Sequence, residues 1–185
     1  MKKILLATCL LSMITLKSHA VVIDIYAGGE LGTGSSVTYV PSAMGSDWKK
    51  TAQSYGAMIG IDIPLLRAEA EYNYIHSKNV DLHAGMINGY VKFGVLPFAT
   101  PYIGVGIGEV FGGTLTDNGG SEADADSSTA YQAMLGLQFD IPATPVFVDI
   151  EGRVFYADSI YSVPAINKDV GFTQYDIRAK IRYVF

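Results

Sequence analysis

The chain has 185 residues, 49% of them apolar, with 13 Lys and Arg against 18 Asp and Glu. That balance, formally −5, argues against nucleic acid or an anionic surface as the partner. The one cysteine, Cys9, falls in the N-terminal apolar run, so the rest of the chain can hold no disulfide, zinc–thiolate site or cysteine nucleophile.

Taken in chain order, residues 1–20 read as a cleaved signal peptide. Lys2 and Lys3 form a positive start, residues 4–16 an apolar stretch, and Ser18-His19-Ala20 a small-x-small cleavage site. The apolar stretch is shorter than the roughly 20 residues a spanning helix needs. The expected mature domain is then 21–185. Losing Lys2, Lys3 and Lys17 leaves it 10 basic residues against 18 acidic ones, a formal charge of −8. Nothing after the signal is apolar for about 18 residues, so any membrane must be crossed by strands.

Eight segments then alternate apolar and polar residues with period two, the signature of a two-faced strand. They are residues 22–31, 55–63, 66–74, 87–95, 101–111, 130–140, 146–156 and 175–185. In the sharpest, LRAEAEYNY, Leu66, Ala68, Ala70, Tyr72 and Tyr74 alternate with Arg67, Glu69, Glu71 and Asn73. In the last, YDIRAKIRYVF, the alternation sets Tyr175, Ile177, Ala179, Ile181, Tyr183 and Phe185 against Asp176, Arg178, Lys180 and Arg182. Each segment is about the length a tilted strand needs to cross a bilayer. The joins alternate as well. Pro64-Leu65, LPFATP and IPATP are short and carry proline, while 33–52, 76–81, 112–128 and 157–171 are polar and mostly long. Short turns at one end and polar loops at the other, around an even number of strands, describe a transmembrane barrel.

A soluble barrel shares the period, so sidedness needs a further argument. Tyr55, Tyr72, Tyr74, Phe139, Tyr156, Tyr183 and Phe185 stand on the apolar face near segment ends, where interfacial girdles sit. If that face meets lipid, the other must line the lumen, since Arg or Lys at the bilayer midplane costs about 2–4 kcal/mol. The expected fold is all-β: an eight-stranded antiparallel up-and-down transmembrane β-barrel, preceded by the signal peptide.

The expected lumen set is Asp62, Arg67, Glu69, Glu71, Lys92, Asp149, Glu151, Arg153, Asp176, Arg178, Lys180 and Arg182. An eight-stranded barrel is just wide enough for side chains to fill, and buried charges must pair. The expectation is a salt-bridged plug, with Asp62 facing Arg67 across its turn and Asp149 and Glu151 near Arg182 and Lys180. The alternative is a narrow pore or small-solute channel, suggested by the glycines of PYIGVGIG.

Other chemistry is poorly supported. His76 and Ser77 are neighbours and point to opposite faces of an extended chain, and Asp81 and His83 flank the same join, so no nucleophile–base–acid set is expected. Asp124 and Asp126 lack the glycine and closing glutamate of a calcium loop. No enzyme, cofactor or metal is expected. Trp48, in the first polar join, is a candidate loop contact.

The alternation that ends in Tyr183 and Phe185 resembles the C-terminal signal read by the outer-membrane insertion machinery. With RAEAEYNYIHSKN and ATPYIGVGIG, the chain from residue 22 to 185 resembles small eight-stranded outer-membrane proteins of the OmpA type. Among these it is most similar to opacity-protein, Neisserial surface protein and rickettsial-type surface antigen relatives. The resemblance implies the bacterial outer membrane and contact with its lipid and lipopolysaccharide. It also implies a structural, adhesin or antigen-like role through loops that reach host or other external molecules. The end at Phe185 leaves the expectation without a peptidoglycan-binding domain.

Overall fold

The computed structural model describes residues 23–39, 48–78, 80–94, 98–116, 122–163 and 168–185; the signal-peptide reading of 1–20 lies outside them. The described strands are β1 (Asp24–Tyr39), β2 (Trp48–Asp62), β3 (Leu66–Ser77), β4 (Val80–Lys92), β5 (Thr100–Thr116), β6 (Glu122–Asp124), β7 (Ser128–Asp140), β8 (Val146–Val163) and β9 (Lys168–Val184). Eight of them pair antiparallel in the ring β4-β3-β2-β1-β9-β8-β7-β5, and β4 pairs with β5 to close it. At the seam between the first and last strands Leu31 stands opposite Ala179. Short β6 pairs only with the far end of β5, Thr114 opposite Asp124.

The turn end is tight. Ile63 and Leu66 exchange backbone hydrogen bonds of 2.9 and 3.2 Å around Pro64-Leu65. In IPATP, Ala143 takes a φ of 62° and Ile141 N–H donates to Val146 O at 3.1 Å.

Over the turn-side half, the outer face is an apolar belt. Ile25, Leu31, Ile59, Ile87, Val105, Leu135, Ile150 and Ile177 are all exposed, Val105 at 69%. The inner face of the same strands carries the charges, with Arg178, Lys180 and Arg182 at 0%. No water-facing surface is stable with that distribution, whereas a lipid-facing one requires it. Rings border the belt: Phe93, Phe98, Tyr183 and Phe185 at the turn end, and Tyr55, Tyr72, Phe111, Tyr131, Tyr156 and Tyr175 at the loop end.

Beyond the loop-end rings the sidedness inverts. Outward positions become polar, with Gln53, His76, Thr129 and Asp158 exposed. Inward positions become apolar: Ile75, Val80, Leu82, Ala84, Val110, Ala130, Phe155, Ala157, Ile160 and Phe172 form one buried cluster. Phe155 and Phe172 meet edge to face at 6.3 Å in it. This half of the barrel is built as a water-soluble barrel is, and it stands outside the apolar belt.

That inversion corrects the expected strand bounds. Residues 80–86 alternate correctly, but with the apolar phase pointing inward, so they fall outside the expected strands when only apolar-outward alternation is sought. The structure runs β4 from Val80, extends β1 to Tyr39, and starts β2 at Trp48. Join 76–81 shrinks to a tight turn with Ser77 opposite Val80. Strands β8 and β9 likewise absorb most of 157–171, and β5 with β6 takes up part of 112–128. The polar loops are therefore shorter than the sequence suggests, and the projecting barrel is longer.

Candidate functional site

Two features could carry function: the lumen and the loop-side rim. The lumen is built in layers from inward positions of all eight ring strands. In the turn-side layer, Arg182 grips Asp149 with Nε at 2.9 Å and Nη2 at 3.0 Å. It also donates to Gln138 at 2.8 Å and lies 3.4 Å from Asp62. Lys92 pairs with Asp62. Arg67 donates to Asp149 at 3.0 Å and lies between two rings, 4.0 Å from the centre of Tyr90 and 4.4 Å from that of Tyr102.

The middle layer gathers four glutamates around two cations. Arg178 donates from Nη1 to Glu30 at 2.5 Å and to Glu71 at 2.8 Å, and it also pairs with Glu151. Lys180 Nζ lies 3.1 Å from Glu69, 3.4 Å from Glu151, and 3.5 Å from Glu30 and Glu71. Above it, Arg153 holds Asp176 through Nε at 3.0 Å and Nη2 at 2.6 Å, and reaches Asn73 at 3.2 Å. The apolar cluster then fills the loop-side lumen.

All twelve residues expected in the lumen are buried there. Asp149 and Glu151 lie near Arg182 and Lys180 as the sequence led us to expect, but the pairing expected across the first tight turn is replaced. Asp62 is opposite Arg67 in the ladder, yet Asp62 bonds to Lys92 and Arg182, and Arg67 bonds to Asp149. Inward side chains in so narrow a barrel reach across the lumen, where the partner from an opposed strand is as near as the lateral neighbour. Sequence reasoning left Glu30 out of the network, although it binds Arg178. It also missed the structural part of Tyr26, Tyr90 and Tyr102, whose hydroxyls donate to Glu69 at 2.8 Å, Glu69 at 2.8 Å and Glu151 at 3.0 Å. The available signal was their phase: Tyr26 and Tyr90 share the parity of Glu30 and Lys92, and Tyr102 stands opposite the apolar Ile103, Val105 and Ile107 of its strand.

The glycines that suggested a pore are occupied. A Cβ at Gly104 would collide with the ring of Tyr90 and one at Gly106 with Asn88; on β7, one at Gly136 would collide with the ring of Tyr102. They make room for large inward side chains from adjacent strands. Gly104→Ala should therefore lower stability by about 1–3 kcal/mol through overpacking, read as a lower urea midpoint of the refolded barrel.

On the rim's outer wall, rings and imidazoles cluster across β3, β4 and β5. Tyr72 O–H and His83 Nδ1 lie 2.7 Å apart, the Tyr74 ring lies tilted against His83 with centres 5.0 Å apart, and His76 pairs with Asp81. Ser77, next to His76, points inward and lies 3.0 Å from the Ser36 hydroxyl. His76 and Ser77 thus sit on opposite sides of the wall. Asp124 and Asp126 are exposed, and the side chain of Trp48 lies outside the described residues. Tyr183 and Phe185 face outward at the turn end, ring centres 5.4 Å apart.

No protein-family model matches the chain, and no curated protein matches it in sequence. Solved structures do match. Neisserial surface protein A superposes with a TM-score of 0.63 at 17% identity, covering 87% of this chain and 97% of that one. The N-terminal β-barrel domain of Pseudomonas aeruginosa OprF superposes with a TM-score of 0.50 at 14% identity, covering 85% and 97%. The shared feature is the fold: this chain has the architecture of the small eight-stranded outer-membrane β-barrels.

Proposed function

We propose that the protein is a bacterial outer-membrane barrel that does not conduct, and that it acts at its surface through the projecting loop-side rim. One observation carries the reading. The lumen is filled along its length, first by paired charges and then by an apolar layer, with side chains from Arg182 to Phe172 at 0% exposure. A solute would have to break buried ion pairs and a packed core in series, and breaking one buried pair alone costs about 3–5 kcal/mol.

The rim is the part left to meet other molecules. It stands beyond the belt, offers tyrosines and histidines on its outer wall, and supports the joins between strands. That arrangement suits an adhesin or antigen-like surface protein in contact with host or other external molecules, with lipid and lipopolysaccharide around the belt. Tyr183 and Phe185 are proposed as the signal for insertion.

Refolded chain in a planar bilayer should give no stable single-channel current, while heat-dependent gel mobility confirms a folded barrel. A reproducible current that shifts in Arg178 or Glu71 variants would transfer the function to the lumen. Trimming the loop-side joins should abolish cell binding and leave the barrel folded. Unchanged cell binding after trimming would count against the surface role.

A further inference from the structure

The outer wall of β2, β3 and β4 is grooved. Small outward residues fall side by side there: Ala57 stands opposite Tyr72, Tyr72 opposite Gly85, and Ala68 opposite Gly89. Ile59 and Ile87 stand on either side of Ala70. The result is an open groove of about 540 Å³ lined by Ala57, Ile59, Ala70, Tyr72, Gly85 and Ile87. It continues toward the turn end over Ala68 and Ile61.

The loop end of the groove is a notch. Gly85 is its floor, and a Cβ built there meets only the ring of Phe111, at 3.6 Å. Tyr72, His83 and Phe111 hold their rings together beside it, with centres 6.1, 6.2 and 6.4 Å apart. On the other side Glu109 stands opposite Gly85 on β5. Glu109 is exposed, shares the outward phase of Ile107 and Phe111, and makes no hydrogen bond or ion pair among the described residues. A carboxylate and a set of rings therefore flank one glycine, at the edge where the apolar belt ends.

An occupant must be apolar below and cationic above. The groove is continuous with the belt, whose surroundings are lipid, so a hydrocarbon chain is what lies against it. An ammonium group is attracted both by a carboxylate and by aromatic faces. A purely anionic headgroup is opposed. The exposed charges of the loop-side half, among the described side chains, are Glu109, Asp124, Asp126 and Asp158 against Lys78, and half-buried Lys50 shares the inward phase of Ala52 and Ser54. The Tyr72 hydroxyl lies 2.7 Å from His83 Nδ1. Donating there leaves the His83 Nε2–H to donate to a phosphate ester beside the ammonium.

We propose that the notch at Gly85 and the groove below it bind a two-chained membrane lipid whose headgroup ends in a primary ammonium, of the phosphoethanolamine class. One chain lies over Ala57 and Ala70, and the ammonium sits between Glu109 and the rings. The proposal rests on the belt lying in lipid, which Val105→Arg tests separately.

Native mass spectrometry of the chain refolded in detergent reads the site. The probes are an ethanolamine phospholipid and a phospholipid with the same chains on a glycerol headgroup. Heat-dependent gel mobility confirms that each variant is folded. We expect the ethanolamine lipid to be retained about fivefold over the glycerol lipid. E109Q should remove that preference. G85V, which fills the notch, should lower retention of the ethanolamine lipid to that of the glycerol lipid. Both positions face outward and position 85 has room for a Cβ, and E109Q decides alone if G85V does not refold. Four results would each overturn the site: equal retention of the two lipids, a preference that survives in folded E109Q, a preference for the glycerol lipid that a chelator abolishes, or a dimer that G85V dissociates. Any of them alongside a destabilising Val105→Arg would remove the site and leave the lipid-facing belt standing.

Discussion

Arg178→Met should be the most damaging single change inside the barrel. The guanidinium is wholly buried and binds three carboxylates, Glu30, Glu71 and Glu151. Methionine fills a similar volume but leaves those groups with Lys180 as the remaining cation that touches all three. Breaking a buried pair by removing one partner costs about 3–5 kcal/mol, and here one residue serves three. Against a total stability of about 5–15 kcal/mol, that is enough to abolish refolding under mild denaturant. The measurement is the urea midpoint followed by heat-dependent gel mobility. A midpoint within experimental error of the unmutated chain would mean that the network does not hold the barrel together.

Val105→Arg tests the other face. Val105 is midway along the apolar part of β5, between Ile103 and Ile107, and 69% exposed. In a lipid-facing position near midplane an arginine should cost about 2–4 kcal/mol. In a water-facing position it would be harmless, and surface substitutions are usually within about 0.5 kcal/mol. Thr129→Arg, on the loop-end side of the ring of Tyr131, is the matched control and should have little effect. Equal effects at both sites would remove the argument that the belt meets lipid.

The candidate site was partly legible in the sequence. Alternation in LRAEAEYNY and YDIRAKIRYVF put Glu69, Glu71, Arg178 and Lys180 on one face because a strand has a period of two and nothing else can reorder it. The same rule hid the loop-side core. Val80, Leu82 and Ala84 alternate as cleanly as the belt does, but they face the other way, and a search for apolar-outward strands passes over them. PYIGVGIG is ambiguous for a related reason. A glycine row shows where space is made along one strand, and only the neighbouring strands show what fills it. Here Tyr90 of β4 does so at Gly104 and Asn88 of β4 at Gly106.

By itself the sequence determined the strand number, the tight end and the loop end, and which residues share a face. These are local properties, set by side-chain period and turn chemistry. The tertiary structure decided who pairs with whom, since partners such as Arg67 and Asp149 are 82 residues apart and meet only when the barrel closes. It also decided that Glu30 and Glu71 share Arg178 Nη1. Both depend on distances across a closed lumen, which no period along one strand encodes.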